Sequence, residues 1–263
     1  MRLRRPALFR VRRERRWSTG RADESGRDET GRGKHRARSK AEIGAGFLRL
    51  GQATRGGRRT QKTIDPEVVL IGDSITHMWG GEPKSNVVNG AKAWAETFGK
   101  LKVLNMGFGW DRTQNVLWRL DNGEFEGISP KWVVICIGTN NLTGTKNARE
   151  NTPAEIVAGV TAIVDVVRKR APQANIVVMG VLPRGEKADN PFRAKIAAIN
   201  AGLAAAVETQ GKTDAKLRFL DIGKQLLEAD GTLPKSVMKD GVHPGEAGYA
   251  VWGKALVEAG VGK

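Results

Sequence analysis

Five short, largely apolar runs punctuate residues 63–263: Val68–Ile71, Val103–Met106, Trp132–Ile137, Ile176–Leu182 and Leu217–Ile222. A strand with one wet face alternates polar and apolar residues, whereas an unbroken run leaves no face for water. Such runs are expected of strands in a parallel sheet covered on both sides. The stretches between them carry a helical period. Thr152-Pro153-Ala154-Glu155 predicts a helix start, with Thr152 as N-cap, Pro153 in the first position and Glu155 closing a capping box. Ile156, Val160, Ile163 and Val167 then line one apolar face, and Arg168-Lys169-Arg170 meet the negative end of the helix dipole. Phe192, Ile196, Ile199, Leu203 and Val207 mark a second helix, and Tyr249, Trp252 and Leu256 a third. Strand and helix alternate about five times. The predicted fold is therefore α/β, a three-layer α/β/α sandwich around a parallel sheet of about five strands.

That architecture says where chemistry belongs. In open parallel sheets, sites form where the carboxyl ends of the strands meet the following loops. Ser74, Gly107–Asp111 and Gly138–Asn141 each follow an apolar run directly. One such cluster is an ordinary strand-end turn, which also favours Gly, Asn and Asp. Three of them, with Asp240-Gly241-Val242-His243 further on, describe one rim. Ser74, His243 and Asp240 then supply a nucleophile, a base and a carboxylate to orient the base. The context Gly72-Asp73-Ser74-Ile75-Thr76 lacks the second Gly of a Gly-x-Ser-x-Gly elbow, so Ser74 also reads as a helix N-cap. His77 either lines the pocket or is nearby surface. Candidate oxyanion donors are the Asn140 side chain, the Ser74 N–H and the N–H groups of the Gly107–Trp110 turn. Asn140 reads equally as an Asn that stabilises its loop.

The net charge of +16 is unevenly placed. Residues 1–62 hold 20 of the 44 Lys and Arg but 6 of the 28 Asp and Glu, a net of +14, which leaves +2 for the remainder. Residues 1–62 are read as a basic arm too poor in large apolar side chains to offset chain entropy. It is an unstructured extension, an arm for nucleic acid or another anionic partner, or a targeting segment. Residues 63–263 are read as the folded domain. Neither an apolar secretory region nor a bilayer-length run is present, so cytoplasm is the default expectation. Cys136, the only cysteine, sits in the run Val133–Ile137 and reads as a small buried hydrophobe. Three histidines and one cysteine do not group at zinc-ligand spacing, and no metal is expected.

These residues resemble the SGNH (GDSL-like) hydrolases, named for Ser, Gly, Asn and His in four separated blocks. Ser74 in Gly72-Asp73-Ser74 matches the first block, Asn140 in Gly138-Thr139-Asn140-Asn141 the third, and Asp240-Gly241-Val242-His243 the last. The similarity is closer to the catalytic subunits of intracellular platelet-activating-factor acetylhydrolase and their bacterial relatives. Val116-Leu117-Trp118-Arg119-Leu120, Asn122-Gly123-Glu124 and Leu182-Pro183-Arg184-Gly185-Glu186 carry it, and it runs from about residue 65 to the C-terminus. The resemblance implies a flavodoxin-like sandwich, no metal or organic cofactor, and ester hydrolysis through an acyl-serine. It makes Ser74 the nucleophile, His243 the general base, Asp240 its partner, and Asn140 and the Ser74 amide oxyanion donors. The second block departs, because Trp110 stands where a Gly normally offers its N–H. If that position needs positive φ, Trp110 is strained there, and either donates normally or displaces the donor. Trp110 is also placed to wall the acyl pocket. With little chain left for a lid, the expected substrate is a small-molecule or carbohydrate ester of short acyl length. The oligomeric state is not legible.

Overall fold

The computed structural model describes residues 65–263. The arm read from residues 1–62 lies outside them. The five apolar runs form strands β1 (Val68–Gly72), β2 (Val103–Gly107), β3 (Trp132–Cys136), β4 (Asn175–Met179) and β5 (Leu217–Leu220). They build one sheet in the order β2-β1-β3-β4-β5, with every neighbouring pair parallel. This is the flavodoxin-like order, and its topological switch lies between β1 and β3.

Among the described residues, six α-helices accompany the sheet: α1 (Ser74–His77), α2 (Ala91–Phe98), α3 (Thr113–Arg119), α4 (Pro153–Arg170), α5 (Pro191–Gly211) and α6 (Glu246–Glu258). The period of two along each strand divides the core. Val69, Ile71, Val133, Ile135, Ile176 and Val178 pack with Val116, Ile163 and Ile199 of α3, α4 and α5. Val68, Leu70, Val134, Cys136, Val177 and Met179 pack with Phe98 of α2 and Trp252 of α6. Two apolar faces thus bury one sheet, which makes the three layers. Trp79 anchors the second face, fully buried with its ring 4.6 Å from that of Trp252 and 5.3 Å from that of Tyr249. Truncating such a ring costs about 3–5 kcal/mol.

The helix ends follow local chemistry. Thr152 Oγ1 accepts from the Glu155 N–H at 3.3 Å, and Glu155 Oε2 accepts from the Thr152 N–H at 2.9 Å. This is the predicted capping box, ahead of Pro153. Asn190 caps α5 by accepting from the Phe192 N–H, ahead of Pro191. Among the described residues no helix is long and apolar enough to cross a membrane.

Candidate active site

The carboxyl end of β1 opens directly into α1. Asp73 Oδ1 accepts from the Ile75 N–H at 2.9 Å, so Asp73 is the cap of this short helix. Ser74 is its first helical residue, and its hydroxyl is not engaged in capping. The N-cap reading of Ser74 therefore moves by one residue. The neighbouring strand holds the turn in place. Asn105, fully buried in β2, donates to the carbonyls of Thr76 at 2.9 Å and Gly80 at 2.7 Å, and accepts from the Gly107 N–H at 2.9 Å. Gly107 must be Gly, since a Cβ there would lie 2.5 Å from the His77 nitrogen and 2.9 Å from the Asp73 carbonyl oxygen.

The loop after β5 brings the other two groups. His243 Nε2 lies 2.9 Å from Ser74 Oγ, and His243 Nδ1 lies 2.7 Å from Asp240 Oδ2. The other carboxylate oxygen accepts from the N–H groups of Val242 at 3.0 Å and His243 at 2.8 Å. Gly241 supplies a φ of +71° between them. Burial raises the Asp240 pKa, but the hydrogen bonds from the His243 ring and from the two amides outweigh it and hold the carboxyl below its ordinary range. An ionised Asp240 favours the proton on Nδ1, which leaves Nε2 to accept from the Ser74 hydroxyl. The arrangement is able to withdraw a proton from Ser74 and stabilise the imidazolium that results.

The loops after β2 and β3 meet beside the serine. Asn140 Nδ2 donates to the Asp111 carbonyl at 3.0 Å, a bond that uses one of its two amide hydrogens. Asp111 N–H reaches back to the Phe108 carbonyl at 3.2 Å, closing a turn in which Trp110 has φ +67°. That is the left-handed region at the position where type II turns favour Gly. Trp110 adopts it, at a cost of order 1–3 kcal/mol. The indole is 77% exposed, so it does not wall an enclosed acyl pocket as the sequence suggested. Fully buried Asn141 ties the two loops together, accepting from the Thr113 N–H at 3.1 Å and donating to Thr113 Oγ1 at 3.1 Å.

Beneath this rim lie charges that sequence reasoning missed. Arg119 is fully buried and donates to Asp111 Oδ2 through Nε at 2.9 Å, to Glu124 Oε2, and to the Met106 carbonyl at 3.1 Å. Burial pushes Asp111 up to about 6 against the attraction of Arg119. Asp73 is pushed up to about 7, mainly by burial, with the Asp111 charge adding and Arg184 opposing. Arg184 Nη1 donates to the Thr139 carbonyl at 3.1 Å and Thr143 Oγ1 at 3.0 Å. The only advance signal for this layer was the charged residues inside Val116–Glu124 and at Arg184, and charged side chains read by default as exposed.

His77 is the last residue of α1. It is half-buried, its ring 5.6 Å from that of Phe108, and burial pushes its pKa down. Cys136 is buried, and burial pushes its thiol well up. Among the described residues no three His, Cys, Asp or Glu side chains group as a metal site.

Comparison with known proteins bears on the family and the fold. Residues 70–251 match the GDSL-like Lipase/Acylhydrolase family. Platelet-activating factor acetylhydrolase IB subunit alpha2 of Rattus norvegicus is 39% identical over 197 residues, covering 75% of this chain and 77% of the relative. A GDSL-like lipase of Bacteroides thetaiotaomicron shares the fold at a TM-score of 0.58 and 20% identity, over 80% of this chain and 97% of its own. A single-residue mutant of an acetyl-xylooligosaccharide esterase of Geobacillus stearothermophilus does so at 0.57 and 19%, over 73% and 93%.

Proposed function

We propose, from the premise that the chain belongs to the GDSL-like lipase/acylhydrolase family, that it cleaves short-chain esters, acetyl esters foremost, through an acyl-serine. The chain is a carboxylic ester hydrolase of the SGNH type. The residue roles and the acyl preference are our reading. The observation that carries the roles is the unbroken line from Ser74 Oγ through the His243 ring to Asp240, with contacts of 2.9 and 2.7 Å.

In this reading His243 Nε2 takes the Ser74 proton as Oγ attacks the ester carbonyl. The carbonyl oxygen becomes an oxyanion that receives hydrogen bonds from the Ser74 N–H, the Trp110 N–H and the second Asn140 amide hydrogen. The tetrahedral intermediate collapses as His243 returns the proton to the leaving alcohol. Water then enters, loses a proton to His243 and attacks the acyl-serine, which releases the acid and restores Ser74. Asp240 keeps the ring in one tautomer throughout. Trp110 holds the backbone conformation a Gly would hold, which favours a working donor over a displaced one. The substrate is a small-molecule or carbohydrate ester, and the acetyl-ester names of the relatives motivate the short acyl group.

The test is hydrolysis of p-nitrophenyl esters of increasing acyl length by the full chain. Turnover should peak at acetyl and fall by roughly 10⁴–10⁶ in Ser74→Ala. Residual turnover within tenfold of wild type would remove Ser74 from its role.

A further inference from the structure

Trp110 combines two features that local stability does not explain. Its backbone holds a φ of +67°, where Gly would sit without strain. Its indole is 77% exposed, more than any other large hydrophobic side chain among the described residues. A Cβ on the adjacent Gly109 would find nothing within 4 Å, so the turn stands clear of the body of the protein. A strained backbone carrying an unpacked aromatic beside a reaction site is a reason to ask what the ring meets.

We propose that the Trp110 indole is a platform for the alcohol half of the substrate, and that this half is a sugar ring. The inference rests on the ester-hydrolase reading above. If the Trp110 N–H faces the oxyanion, its side chain begins two bonds from the reacting carbonyl's hydrogen-bond partner. If the acyl group is directed inward, the alcohol extends toward solvent, where the exposed indole stands. A sugar offers axial C–H bonds to a flat ring and hydroxyls to its surroundings. The surroundings fit. The turn is tied to the next loop by the Asn140 bond to Asp111 and by Arg112, which donates to the carbonyls of Thr143 and Arg149. Exposed on that loop are Thr145, Lys146, Asn147 and Arg149, all hydrogen-bonding groups. An acyl-chain lipid would need an apolar wall there.

The experiment compares, in the full chain, kcat/KM for cellobiose octaacetate and for ethyl acetate by pH-stat, in wild type, Trp110→Ala, Trp110→Phe and Ser74→Ala. The ratio of the two constants should fall roughly tenfold in Trp110→Ala and recover in Trp110→Phe, since one aromatic face contributes about a factor of ten. Unacetylated cellobiose should inhibit ethyl acetate hydrolysis in wild type and Trp110→Phe, and lose that effect in Trp110→Ala. A ratio that is the same in all three active proteins overturns the platform. Failure of the underlying reading looks different: Ser74→Ala would then hydrolyse both esters like wild type.

Discussion

Replacing Asp73 by Asn tests whether the carboxyl beneath the serine is a buried acid that folding holds protonated. The side chain is 1% exposed, and Asn keeps the oxygen that caps the Ile75 N–H. Only the ionisation is lost. In the unfolded chain Asp73 titrates near 3.8, and in the folded protein near 7. Between those values the folded state holds a proton that the unfolded state has released. Wild-type stability contributed by this group is therefore present in full at pH 4, falls as pH rises, and levels off above about 7. The gap of about three pH units, at about 1.4 kcal/mol each, sets a ceiling of about 4 kcal/mol. The Asp111 titration is common to both proteins and cancels except for its coupling to Asp73. Urea unfolding of wild type and Asp73→Asn at intervals from pH 4 to 8.5 gives the difference directly. The variant should gain on wild type steadily between pH 4 and 7 and then hold its advantage. A difference that stays flat refutes the reasoning. A difference of opposite sign would mean that Arg184 holds Asp73 ionised.

Asp240→Asn should lower kcat on p-nitrophenyl acetate by about 10²–10⁴, because the amide favours the wrong imidazole tautomer, and the thermal midpoint should move little. Arg119→Met leaves the Asp111 and Glu124 carboxylates buried without their shared cation, so urea unfolding at pH 7.5 should show a loss of about 3–5 kcal/mol. Trp110→Gly removes the positive-φ strain, and its unfolding free energy should rise by about 1 kcal/mol, against a fall if the indole were packed.

Strands β1 to β4 were legible because burial on both faces wrote their apolar runs, whereas β5 is buried only at Leu217 and carries the exposed Arg218. Helix α4 was legible because Thr152, Pro153 and Glu155 mark its start, and α5 because Phe192, Ile196, Ile199, Leu203 and Val207 repeat at helical spacing. The short helices α2 and α3 were not foreseen. Neither N-cap is a Ser, Thr, Asp or Asn, and α2 buries only Ala93 and Phe98. Sequence reading grouped Ser74, Asp240 and His243 on one rim, where their side chains do meet. It offered Ser74 as the cap where Asp73 is, since both residue types accept from a helix N–H and they differ by one position. The pairing of Arg119 with Asp111 and Glu124 was also hidden. Such a cluster becomes readable only when the chain has turned back at Leu120–Glu124 and closed over it.

Asp240 binds the backbone on either side of Val242 and the ring of His243 at once. Carboxylate and imidazole therefore travel together as one rigid body. The Gly185 N–H bond to the Gly241 carbonyl, at 2.9 Å, moors that body to the loop after β4. The contact these bonds leave to be set separately is the one between Nε2 and the serine oxygen. A substitution that loosens the mooring should slow the reaction by lengthening that gap and leave the ring's own tautomer undisturbed.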